Sequence, residues 1–194
     1  MHDKYELRCP RQDSRHERYL VAVHEAGHVV MSFQVELGVE EVSIVPTGDC
    51  LGVCRNDDAR EWQDLIEQVS SADSEKEQRR RQLLLKHLHV SLAGPEAERL
   101  VRGEYNPEGA VGDAETARLL IGMLGWREDQ SYLDWLRSRT ARYLARPRVW
   151  YMVEAVALGL MQRGRMTGEE ARRLYARAGA RAARLAQIDR VTKG

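Results

Sequence analysis

Ala22-Val23-His24-Glu25-Ala26-Gly27-His28-Val29 is the stretch that decides how this chain is read. Two histidines four residues apart on a helix are about one turn apart, so both imidazoles project from one face. Neutral imidazoles at that spacing can fill two corners of a Zn²⁺ tetrahedron. The glutamate beside the first can take a proton from a water at the open corner. The neighbours Val21, Val23, Val29, Val30 and Phe33 make the helix largely buried. Burying a glutamate and two imidazoles without partners costs several kcal/mol, and a metal offsets that cost. Gly27 costs up to about 1 kcal/mol relative to alanine in mid-helix. Its small size permits another backbone to approach closely.

Outward from this helix, the pattern is helical with one small sheet. Residues 1–13 are a polar tail. Ser14 with Glu17 forms a capping box, and the zinc helix is expected to run to about Leu37, with Gly38 as its stop. Val42, Ile44 and Pro46 alternate like a strand. Thr47-Gly48-Asp49 makes a turn, and a second strand is expected over residues 51–55, closing a β-hairpin. Residues 56–73 are polar, with room for one short helix. Ser74 with Glu77 opens a helix through Leu92, which Gly94-Pro95 is expected to kink or restart before it reaches Gly103. A glycine-containing loop over residues 103–112 leads to a helix opened by Asp113. Beyond it, Ser131 with Asp134, Pro147, and Thr167 with Glu170 mark the starts of three more helices. The expected fold is mainly α with a small β-hairpin or sheet (α+β). A zincin-like H-E-x-x-H helix is followed by a C-terminal helical bundle. The expected division is a single domain over 14–194, with a zinc-site core at 14–126 and a helical lobe at 127–194.

The chain has 194 residues, enough to bury a core. Charged residues are 31% with a formal net charge of +0, so nothing global points to nucleic acid. The arginines dense from Arg137 onward, and the local Arg79-Arg80-Arg81 run, are read as solvated helix faces. The start is polar and charged, without a secretory signal. The most apolar run, residues 152–161, is too short to span a bilayer and contains Glu154. Cys9, Cys50 and Cys54 are sparse and odd in number, which suits a reduced, cytoplasmic protein. Cys50-x-x-x-Cys54 lacks a second ligand pair and is not read as a metal site.

A catalytic zinc usually takes three protein ligands and keeps a fourth position open. No third histidine follows closely after His28. Glu98 and Asp113 are the candidates, and local features divide them evenly, since Asp113 would also serve as a helix N-cap. His87-x-His89 points to two faces of its helix and chelates poorly. His2 and His16 carry no pattern. In the hairpin, Leu51, Gly52, Val53 and Cys54 suit an edge strand that pairs with an extended peptide, Gly52 allowing close backbone approach. A purely structural hairpin accounts for them equally well.

With these motifs in place, the chain resembles the peptidase domain of FtsH-type AAA proteases. That family's zinc helix reads A-V-H-E-A-G-H-A, which residues 22–29 follow up to the last position. Its strand-turn-strand, V-x-I-x-P-x-G-x-x-L-G-V, matches residues 42–53. Gly94, Ala97 and Glu98 match its G-G-R-x-A-E-E helix, and residues 109–113 match its G-A-x-x-D loop. Met166-Thr167-Gly168-Glu169-Glu170 is similar to its closing helices. Pro95, Arg99 and Glu108 depart from the pattern.

The resemblance implies His24, His28 and Asp113 as zinc ligands and Glu25 as general base. It also implies that Glu98 supports a zinc-binding histidine without touching the metal. Zn²⁺ is the expected cofactor, and peptides or unfolded protein segments are the expected substrates of an endopeptidase. The 194 residues hold no phosphate-binding G-x-x-x-x-G-K-[ST] loop, so the lone chain is expected to act without ATP. A homo-oligomer and a separate ATPase are the partners the resemblance suggests. The competing expectation is a zinc-stabilised module that binds peptides without turnover.

Overall fold

In a computed structural model, the described residues are 15–48, 50–57, 74–126 and 130–193, with side chains as far as 188 in the last helix. The chain runs α1 (Arg15–Gln34), β1 (Val39–Ser43), β2 (Val53–Asn56), α2 (Ser74–Arg102), α3 (Val111–Met123), α4 (Gln130–Leu144), α5 (Pro147–Arg163), β3 (Arg165–Thr167) and α6 (Gly168–Lys193). It is mainly helical, with one three-stranded antiparallel sheet of order β2-β1-β3. Among the described residues, no helix is long and apolar enough to cross a membrane.

α1 is the central element. Every residue from Ala22 to Phe33 is buried. The helix stops at Gln34, earlier than expected, because Glu36 takes a positive φ of 60° and lets the Leu37 amide reach back to the Ser32 carbonyl at 2.8 Å. The stop is therefore made by a residue other than Gly38. The Ser14 cap, Asp49 of the turn, residues 58–73 of the stretch 56–73 in which a short helix was expected, and the Ser74 side chain lie outside the described residues.

The hairpin forms in register Ser43↔Val53, Val42↔Cys54 and Glu41↔Arg55. β1 lies three residues earlier than the pattern suggested, so Ile44 and Pro46 follow it, and β2 starts later, so Leu51 and Gly52 precede it. The third strand was not expected. β3 is three residues long, too short for alternation to register, yet it places Met166 opposite Val42, both fully buried. The Ile44 amide extends this ladder to the Gly164 carbonyl at 2.8 Å. Gly164, at φ 77°, turns the chain between α5 and β3. Thr167 and Glu170 then form the expected reciprocal cap: the Thr167 amide donates to Glu170 Oε2 (2.9 Å) and the Glu170 amide to Thr167 Oγ1 (3.3 Å).

Two apolar clusters hold these elements. One joins α1 and β1 to α5, β3 and α6 through Val23, Val30, Val42, Val153, Met166 and Ala171. The other joins α2, α3 and α4 through Leu84, Leu88, Leu92, Leu120, Ile121 and Leu136. Each fully buried leucine or valine contributes roughly 1.5–3 kcal/mol.

α2 is one continuous helix through Gly94-Pro95, so it does not restart there. Proline removes one amide from the helical ladder, but the segment is clamped between other elements. A β-carbon on Gly27 of α1 would lie 2.6 Å from the Ala93 carbonyl oxygen and 2.8 Å from Ala97 Cβ. Only a glycine lets α1 and α2 approach this closely, which is the packing that Gly27's mid-helix cost supports.

Candidate metal centre

The close crossing of α1 and α2 brings both histidines over α2 at Gly94. A β-carbon there would overlap His28 Nε2 and lie 2.7 Å from His24 Cδ2. Gly94 makes room for the imidazoles, and that is its role in place of breaking the helix. α3 then delivers Asp113 from the opposite side. Its N-cap is Ala110, without a side-chain capping bond, so the Asp113 carboxylate is free of the capping role and turns inward from the first turn.

His24, His28 and Asp113 form a group able to hold a metal ion, with one ligand atom from each lying within 4.8 Å of the others. His24 Nε2 is 3.0 Å from Asp113 Oδ2, and His28 Nε2 is 3.3 Å from Asp113 Oδ1. Each histidine thus faces a different oxygen of the same carboxylate, and both Nε2 atoms point toward Asp113. The other ring nitrogens are engaged. His24 Nδ1 donates to Glu98 Oε2 at 3.0 Å, and His28 Nδ1 donates to the Val90 carbonyl at 2.8 Å. Carboxylate and carbonyl acceptors on the two Nδ1 atoms would leave the Nε2 atoms for a metal ion, the usual outer support of metal-binding imidazoles.

The electrostatics suit a cation. Burial opposes charge on His24, but Asp113, Glu98 and Glu25 outweigh it and carry its pKa up to about 10. Burial also works against a charged His28, and Asp113 overrides it in the same direction. Burial alone would raise the Asp113 carboxyl, yet His28 and His24 hold it well below the usual carboxylate range. Asp113 and Glu98 thus flank the His24 ring from its two nitrogens, and Asp113 also faces His28, so the carboxylates favour positive charge between them.

Glu25 is buried but stands outside the ligand group. Burial raises its carboxyl pKa, His28 and His24 pull it down, and the net shift is upward. Its carboxylate rests against Gly52, whose β-carbon, if present, would lie 2.8 Å from Glu25 Cδ. Gly52 therefore admits the glutamate, where the sequence had suggested that it admits substrate.

Of the other expected residues, Gly52 borders Glu25, Val53 and Cys54 lie on the edge strand β2, and Leu51 lies just before it. No strand pairs with the outer side of β2 among the described residues. Because the Ile44 amide faces β3, alternation turns Ser43 and its partner Val53 toward each other. The amides of Gly52 and Cys54 then face outward. Glu98 reaches His24 but not the ligand group. His89, half buried, has its pKa lowered by burial and then by Arg139, and neither it nor His87 joins the site. Cys50 and Cys54 are free thiols outside the ligand group.

Two supporting residues were missed. Arg102 and Asn106 donate to Glu98 Oε1 at 3.0 and 2.9 Å. Arg102 follows Glu98 by four helical residues, a pairing the sequence could have signalled. Asn106 lies in a loop and carried no such signal. A cavity of about 220 Å³ opens beside Asp113, walled by Leu92, Pro95, Tyr105, Ala117 and Leu133.

No family model and no curated protein matches the chain. The likeness to FtsH-type peptidases rests on the motifs quoted above.

Proposed function

We propose that this chain is a zinc-dependent endopeptidase of the FtsH-like kind, cutting peptides and flexible or unfolded protein segments. The observation that carries the reading is the pairing of two functions in one buried pocket. Two Nε2 atoms and a carboxylate converge with their outer atoms already engaged, beside a carboxylate, Glu25, that is not in the ligand group. Two imidazoles and one carboxylate are a donor set suited to a catalytic zinc with an open position.

His24, His28 and Asp113 would hold the ion, which supplies a Lewis acid to polarise the scissile carbonyl. Glu25 accepts a proton from the attacking water as its oxygen bonds to the carbonyl carbon. The carbon–nitrogen bond then breaks, and Glu25 passes the proton to the leaving amine. Burial raises the Glu25 carboxyl above its ordinary value, which strengthens it as a proton acceptor between the two transfers. An extended peptide pairing with the outward amides of Gly52 and Cys54 would lie beside Glu25.

The test is cleavage of a quenched, unstructured peptide by the zinc-loaded chain, the chelated chain, and zinc-loaded Glu25→Gln. Cleavage is expected only in the first, with Glu25→Gln retaining zinc and losing about 10²-fold or more in rate. A zinc-loaded wild type that cuts no unstructured peptide would make the chain a binding module instead.

A further inference from the structure

We propose that Asn106 is a positioning residue of the metal centre, one amide that aligns Glu98 with His24 and sets the loop that delivers Asp113. This inference rests on reading His24, His28 and Asp113 as metal ligands. It does not depend on peptidase activity.

Asn106 belongs to the connection between α2 and α3 and is half buried. Its two polar atoms do separate things. Nδ2 donates to Glu98 Oε1 at 2.9 Å, and Oδ1 accepts the Gly109 amide at 3.2 Å. Glu98 Oε2 receives His24 Nδ1–H. One side chain therefore links a residue behind His24 to the residue that precedes Ala110, where α3 begins and Asp113 enters its first turn.

The Glu98 side of this link concerns orientation. Arg102 also grips Glu98 and is tied to Glu17 on α1 at 3.3 Å. With both Arg102 and Asn106 on Oε1, Oε2 is left for His24. Without Asn106, a guanidinium alone can draw both carboxylate oxygens into a bidentate pair, and the His24 ring loses its orienting acceptor. The Gly109 side concerns placement. A carboxamide that holds the Gly109 amide closes the loop three residues on, much as an Asx turn does.

The two roles separate by substitution. Asn106→Asp keeps an acceptor for Gly109 but offers Glu98 no donor. Asn106→Ala loses both bonds. Each purified chain would be titrated with Co²⁺, reading the dissociation constant and the visible d–d band, which reports ligand geometry. Circular dichroism and melting of the metal-free chains would be read alongside. Asn106→Asp is expected to weaken Co²⁺ binding about 10-fold or more and to shift the band, and Asn106→Ala at least as much, with metal-free melting unchanged. Wild-type affinity and band in both variants would overturn the inference while leaving the metal site standing. Loss of affinity only in step with lost helicity or melting would also overturn it, as a general structural effect. A wild type that binds no Co²⁺ would remove the metal site itself, and this inference with it.

Discussion

Gly52 lies against the carboxylate of Glu25, with no room for a β-carbon between the strand and the acid. The edge of the sheet thus forms one wall of the pocket that holds the proposed base. Gly52→Ala would push a methyl group into that carboxylate. Zinc content should stay at wild-type level, because Glu25 is outside the ligand group. Peptide hydrolysis should fall by about 10²-fold, the scale of a misplaced catalytic group. Full activity in Gly52→Ala would show that Glu25 does not need this position.

Gly94→Ala separates stability from metal binding. By helix propensity alone, alanine should stabilise α2 by about 1 kcal/mol. The added β-carbon, however, would overlap His28 Nε2, the nitrogen turned toward Asp113. The folded variant should therefore lose bound zinc, measured by metal analysis after dialysis. Zinc retention at wild-type stoichiometry would place the ligand nitrogens elsewhere.

Asp113→Ala and Glu98→Ala should differ in kind. Asp113 faces both Nε2 atoms, so its loss should remove most of the zinc. Glu98 reaches only His24 Nδ1, so its loss should weaken zinc by roughly 10–100-fold. Isothermal titration on both variants reads the order directly. The reverse order would make Glu98 the ligand.

Proline substitutions read out the strand edge. Val53 faces β1, so Val53→Pro should break the hairpin and show as lost structure by circular dichroism. Cys54 faces outward, where proline is tolerated. Cys54→Pro should stay folded and keep zinc while kcat/KM for peptides falls about 10-fold, the worth of one hydrogen bond of about 1.4 kcal/mol. An unchanged kcat/KM in folded Cys54→Pro would mean that substrate is held elsewhere.

What the sequence alone determined is local. The one-turn spacing of His24 and His28, the apolar faces around them, the Pro147 start and the Thr167–Glu170 cap all follow from neighbours within a few residues. Periodicity and capping act over that range, so they can be read without knowing what packs where. Tertiary structure decided the rest. From residues alone, Glu98 and Asp113 were equal candidates. They separate only because Gly27 lets α1 sit on Ala93 and Ala97, leaving Glu98 behind the His24 ring and Asp113, 89 residues along the chain, in front of it. The same packing turned Gly94 from a helix breaker into space for two imidazoles and Gly52 into space for Glu25. It also made a strand of Arg165–Thr167, whose three residues become β only when β1 lies beside them. A glycine's function depends on what occupies its missing side chain's place, and that occupant comes from distant parts of the chain.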